Sequence, residues 1–207
     1  MNEDTSLIDI QYFGNTIYYK KISIIKYVIF EQYDTHKKKS FANRCIIAGA
    51  NGRINLSVPL QQGRSQKTIT KDVRISNAEN WQLRHWRSII SSYNNSPWFK
   101  YFNDDLAVLF NRRFDFLLDW NLACLDWTLK HLKLDLEYQL TQEWKENWSG
   151  VQDFRNSIVP DKDHPASKIS YPQVFENKFD FMPDLSILDL LCCESPKSAL
   201  GLLKNKV

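Results

Sequence analysis

Residues that break or staple structure are scarce: 207 residues include six Gly, seven Pro and four Cys. So little Gly and Pro excludes collagen-like and low-complexity disordered chains. Cys45 and Cys124 stand alone, and Cys192 and Cys193 are adjacent, a spacing that suits neither an ordinary structural disulfide nor a metal site. All four are expected to be reduced, and no metal is expected. No apolar run approaches the roughly 20 residues of a membrane span, and no basic-then-apolar leader opens the chain. The expectation is a cytoplasmic protein without a transmembrane segment. Aromatic residues, by contrast, are abundant at 14%, and the length suffices for one domain with a sizeable core.

Acidic residues are thin in one part of the chain only. Residues 20–100 hold 15 Lys and Arg against 4 Asp and Glu, whereas the remainder holds 12 against 20. A phosphate near such a surface gains about 1 kcal/mol per contact in water and roughly 4 at an effective dielectric near 20. The asymmetry therefore fits a cleft for a phosphorylated ligand, or else a solvated face that balances the acidic half. Walker and dinucleotide fingerprints are absent, so no known nucleotide motif is present and the cofactor is unknown.

The first nine residues say little. Residues 10–25 carry Tyr12, Phe13, Ile17, Tyr18 and Ile22 near helical spacing, and 26–31 read as a strand, which together cue an α/β chain. Glu31 lies at the polar end of that strand, where sites usually form, and 34–40 is a charged loop. Arg44 precedes an apolar strand, Cys45 to Ala48, and is placed for a bidentate contact with carboxylate or phosphate. Ala50-Asn51-Gly52 is a hairpin turn leading to a strand over 54–59. Residues 61–71 form a loop and 72–75 a further strand, with Arg74 on the face opposite Val73 and Ile75.

Residues 76–102 concentrate three Trp, and a His near two Arg. Ser76 and Glu79 form a capping-box pattern that starts a helix near Asn77. Its angular pattern puts Leu83, Trp86, Ile89, Ile90 and Tyr93 inward, Arg84 and Arg87 outward, and Trp81, His85 and Ser92 on the seam between. Ser96 and Pro97 are expected to cap a second helix, and Asp115 a third, buried one over 116–132. His131 reads as a helix-terminal residue favoured by the macrodipole. Residues 141–172 lack a period and suit a lid or long loop containing His164. A helix within 179–191 and another from Ser195-Pro196 close the chain. The fold class expected is α/β or α+β: an N-terminal mixed β-sheet with a hairpin over 1–76, helices over 77–135 and a helical segment over 173–207, all one domain.

These pieces, in this order, resemble the WbqC-like family of bacterial surface-polysaccharide gene clusters. The matching residues are Gln11-Tyr12-Phe13, the strand ending at Glu31, Lys39 to Arg44, Ala50-Asn51-Gly52 with Leu56 to Pro59, Asp72 to Ile75, Asn80-Trp81 through His85-Trp86 to Ser96-Pro97-Trp98-Phe99, and Leu185 to Leu191. The chain departs from the family pattern in showing no first strand before Gln11, and in reading Cys193-Glu194-Ser195-Pro196 near the end. The resemblance implies a role in O-antigen or related glycan biosynthesis on a nucleotide-linked or lipid-linked sugar.

The leading expectation is a transferase acting on such a phosphorylated sugar. His85 serves as general base with Glu31 beside it in the catalytic set. Lys39, Arg44 and Arg74 grip phosphate, Asn43, Asn80 and Glu31 orient hydroxyls, and Gln11, Trp81 and Ser92 complete the substrate contacts. A binding or scaffold module using the aromatics of 141–172 is the alternative. Nucleic-acid binding ranks last, because no recognisable module occurs and the back half is acidic.

Overall fold

The computed structural model describes residues 5–63, 67–160 and 169–205. It begins with the strand the sequence hides: β1, Thr5–Asp9. Ser6, Leu7 and Ile8 are all buried, so β1 is covered on both faces and has no alternation to betray it. Helix α1, Thr16–Ser23, then leads to strand β2, Tyr27–Glu31, parallel to β1, with Leu7 opposite Ile29 and Asp9 opposite Glu31. The helix expected from Ile10 starts later because Phe13 adopts φ 39 and the Asn15 side chain caps α1, accepting from the Tyr18 N–H at 3.0 Å. A left-handed Phe costs energy unless packing holds it. Here the Phe13 ring lies edge-on to Trp120 and Trp127 and is fully buried.

Two further strands come from the half expected to be helical or looped. Strand β5, Glu137–Leu140, pairs with β2, and β6, Gln152–Asp153, pairs with β1, giving an all-parallel sheet in the order β5-β2-β1-β6. The Asn51-Gly52 hairpin forms as expected, but it stands apart from that sheet, with β3, Arg44–Gly49, antiparallel to β4, Gly52–Ser57. The fold is α/β, a parallel sheet and a hairpin followed mainly by helices. Residues 72–75 form no ladder strand. They follow a 3₁₀ turn, Thr70–Asp72, and make single bridges to Leu60 and Phe116, yet Val73 and Ile75 are buried and Arg74 exposed, as alternation requires.

The helices α2, Trp81–Tyr93, α3, Phe99–Asn111, and α4, Leu117–Leu132, form the other layer. α2 begins at Trp81 because Asn80 is the cap that acts, its side chain accepting the Leu83 N–H at 3.1 Å. Ser96 and Asp115 likewise do not cap: Ser96 donates to the Tyr93 carbonyl, and the caps of α3 and α4 are Trp98 and Phe116 without side-chain bonds. Trp81, His85, Ile89, Ser92 and Tyr93 are the buried stripe of α2, while Leu83 is exposed. The expected seam is therefore the centre of the core face: indole and phenol rings bury more area than Leu83 and turn the helix toward themselves.

Residues 141–172 include β6, and His164 lies outside the described residues. The short turn α5, Glu176–Phe179, precedes α6, Ile187–Cys193, capped by Ser186, and α7, Pro196–Lys204, capped by Ser195 with Pro196 at its first position. Asp189 on α6 is fully buried and accepts from the hydroxyls of Tyr93 and Tyr171, each at 2.8 Å, and from Gln173 at 3.1 Å. Tyr93 in turn accepts the Ala48 N–H of β3 at 3.1 Å. One carboxylate thus joins α2, α6 and the 171–173 segment, and Tyr93 extends the network to the hairpin. The four cysteines are buried free thiols.

Gly14, between β1 and α1, is a close approach. A Cβ there would sit 2.7 Å from the buried Tyr18 ring and 2.9 Å from Gln11 Oε1. Gly14→Ala is expected to cost about 1–3 kcal/mol by overpacking, read as a lower urea midpoint; an unchanged midpoint would show that the loop relaxes freely.

Candidate active site at the carboxyl edge of the sheet

All four strands run the same way, so their carboxyl ends share one edge. β1 is where the strand order reverses, with its successor β2 on one side and the last strand, β6, on the other. Open parallel sheets bind ligands at such a place. A narrow cleft lies there, lined by Asp9, Gln11, Glu31, Asp34, His36 and Asn156 among others, with about 30 Å³ of free space. That is room for about one or two water molecules.

Asp9 and Glu31, adjacent in register, end their strands side by side. Glu31 is 2% exposed and accepts from the Tyr33 N–H at 2.7 Å and the Thr141 hydroxyl at 2.9 Å, with Arg155 Nη1 at 3.4 Å. Arg155 also pairs with Asp153 at 2.6 Å and donates to the carbonyls of Lys145 and Glu146, tying the loop after β5 to this edge. Asp9 Oδ2 accepts the Asn156 N–H at 2.5 Å. Burial pushes the Asp9 carboxyl above its ordinary pKa, against the Asn156 bond and the Lys37 charge.

His36 lies on the loop between β2 and β3, fixed by its N–H to the Thr68 carbonyl at 2.9 Å and by the Thr35 to Ile69 bridge. Its side chain is 5% exposed and lines the cleft, and neither ring nitrogen has a hydrogen-bond partner among the described residues. Burial, helped by the nearby Arg44 charge, holds its pKa below the usual 6.5. A neutral imidazole with both nitrogens unused offers one donor and one acceptor. Buried polar atoms are nearly always paired, so an unpaired ring at a cleft marks a place for a ligand or water.

Of the site residues expected from sequence, Gln11 and Glu31 line this cleft and the others do not. Gln11 donates Nε2 to the Ile158 carbonyl at 3.3 Å and turns Oε1 toward Gly14. Lys39 is exposed on the His36 loop, and Arg44 clamps that loop by donating to the Lys38 carbonyl at 2.8 Å. Buried Asn43 donates to the Val58 carbonyl at 3.1 Å. Arg74 lies over the Phe116 ring at 4.4 Å, and Asn80 caps α2. Trp81 and Ser92 are buried in the core face of α2, Trp81 donating to Asn77 at 3.3 Å. His85 is 6% exposed, edge-on to Trp81, with Nδ1 3.0 Å from the Tyr12 hydroxyl. Burial lowers its pKa to about 4, against a hydrogen bond to the Ser57 backbone. The structure thus does not gather Lys39, Arg44 and Arg74 over a His85 seam. It gathers Asp9, Glu31, Asp34 and His36 instead.

The model of the WbqC-like protein family matches residues 11–159. The chain belongs to that family. Both ends of the matched segment, Gln11 and Val159, line the cleft. No curated protein and no solved structure matches the chain. Among the described residues, no group of three or more His, Cys, Asp or Glu has the geometry to hold a metal ion, and no helix is long and apolar enough to cross a membrane.

His85 makes a pH prediction. Its folded pKa, about 4, lies below the unfolded 6.5, so the unfolded chain takes up the proton first as pH falls. Its stabilising contribution is complete above pH 6.5 and is lost between 6.5 and 4, amounting to about 3 kcal/mol. Urea unfolding at pH 7 and pH 4 is expected to show a fall that is smaller by about this amount in His85→Gln. Parallel pH profiles would contradict the placement.

Proposed function

We propose that this WbqC-like protein is an enzyme of bacterial surface-polysaccharide biosynthesis, a transferase that modifies a nucleotide-linked or lipid-linked sugar at the carboxyl-edge cleft. The observation that carries the reading is His36, buried and unpartnered at the cleft. A general base must be neutral at working pH and have a free nitrogen, and burial gives His36 the first while its surroundings leave it the second. As the acceptor oxygen or nitrogen bonds to the transferred group, the bond from that group to its donor breaks, the donor fragment leaves with the bonding electron pair, and the acceptor's proton passes to that ring nitrogen. Asp9 and Glu31 orient the acceptor. Lys39, on the loop above, and Arg44, at the start of β3, supply charge for the phosphates of the sugar that is modified, so acid lies in the cleft and base on its rim.

Family membership supports the pathway assignment, and the switch-point position supports the site. A second reading, a binding module without turnover, is favoured by one observation: Trp144, in the loop held by Arg155, is 52% exposed and presents an indole to a glycan or partner.

Calorimetry and turnover assays against a panel of nucleotide sugars separate the two. His36→Ala is expected to keep nucleotide-sugar binding and lose roughly 10²-fold to 10⁴-fold in turnover, while Arg44→Ala weakens nucleotide-sugar binding. Unchanged binding and turnover in both variants would remove the site. Nucleotide-sugar binding by the unmodified protein without turnover, lost in Trp144→Ala, would favour the binding module.

A further inference from the structure

The proposed acceptor site is selective in what it leaves unused. Three of its donors are already committed: Lys37 Nζ to Asp34 at 2.8 Å, Ser40 Oγ to the Lys37 carbonyl at 2.9 Å, and Thr70 Oγ1 to the Asp34 carbonyl at 2.8 Å. Its spare charged capacity is for accepting. Asp9 Oδ1 receives no hydrogen bond from the described residues, and His36 offers an unshared ring nitrogen. Charge points the same way, since Asp9, Glu31 and Asp34 line the cleft against Lys37 alone. Two of the four acidic residues within 20–100 are thus placed here, in the stretch that is otherwise basic.

A phosphoryl group brings acceptors and negative charge and would meet three carboxylates, Asp9, Glu31 and Asp34, against one lining cation that is already paired with Asp34. A hydroxyl brings one donor and no charge. An ammonium brings three donors and a positive charge, and the free space of about 30 Å³ admits a group of that size while the remainder of the molecule stays outside.

We infer that the cleft receives the primary amine of an amino sugar, held between the Asp9 carboxylate and the His36 ring. This rests on the reading of the cleft as the ligand site. Phosphate binds outside it, on the basic rim.

The test is NMR titration of the unmodified protein with D-glucosamine, D-glucose and inorganic phosphate, following the His36 ring and the amides of residues 9–11 and 31–36. Glucosamine is expected to shift these signals with at least about tenfold higher affinity than glucose, and phosphate is expected to leave the ring unmoved. Asp9→Asn should remove most of the preference, bringing the glucosamine affinity down to about that of glucose. Asp34→Asn, on the exposed loop, should reduce it more weakly, and thermal unfolding confirms that each variant is folded. Equal affinity for the two sugars, or phosphate shifting the ring, would overturn the amine inference alone. If none of the three probes moves any cleft signal, the inference and the site assignment both fall.

Discussion

Two carboxylates end neighbouring parallel strands in register, Asp9 beside Glu31, and much of the molecule is arranged to make that tolerable. Adjacent strands lie about 4.8 Å apart, and like charges side by side destabilise a sheet. The compensation comes from far along the chain. Thr141 and Arg155 reach Glu31, and the Asn156 N–H reaches Asp9. Those contacts pin the ends of β5 and β6 and the 156–159 segment to the first two strands, and the segment so pinned is a wall of the cleft. The element that costs stability and the element that builds the site are the same.

Global charge and local charge differ here for a physical reason. Residues 20–100 are strongly basic, yet most of that charge sits on exposed side chains such as Lys39 and Arg74, where water screens it. The carboxylates are fewer but enclosed, and enclosed charges act more strongly on a neighbour. A net count finds the basic surface and misses the acidic cleft. The same enclosure separates the two described cleft-side and core histidines: His85 has Tyr12 and the Ser57 backbone and is satisfied, whereas His36 has neither nitrogen engaged.

Local grammar was legible and long-range pairing was not. The Asn51-Gly52 hairpin, the Ser195-Pro196 helix start and the buried α4 follow from turn chemistry and periodicity. β1 left no trace because a strand covered on both faces reads as a short apolar run, and β6 is two residues long. Capping was misassigned where several Asn and Ser compete within a few residues, as at Ser76 to Asn80, because tertiary packing of Trp81 selects the start. Glu31 and Gln11 were identifiable as strand-end and motif residues. His36 was not, since a His among Asp, Thr and Lys looks solvated until the bridge from Thr35 to Ile69 folds it inward.

The most direct measurement is a crystal structure with a nucleotide-linked amino sugar bound. The account predicts the sugar nitrogen at hydrogen-bond distance, about 2.7–3.2 Å, from Asp9 Oδ1 and a His36 ring nitrogen, with the phosphates beside Lys39 and Arg44. A sugar seated elsewhere with the cleft unchanged, whether against Trp81 and His85 or along α3 and α4, would contradict it.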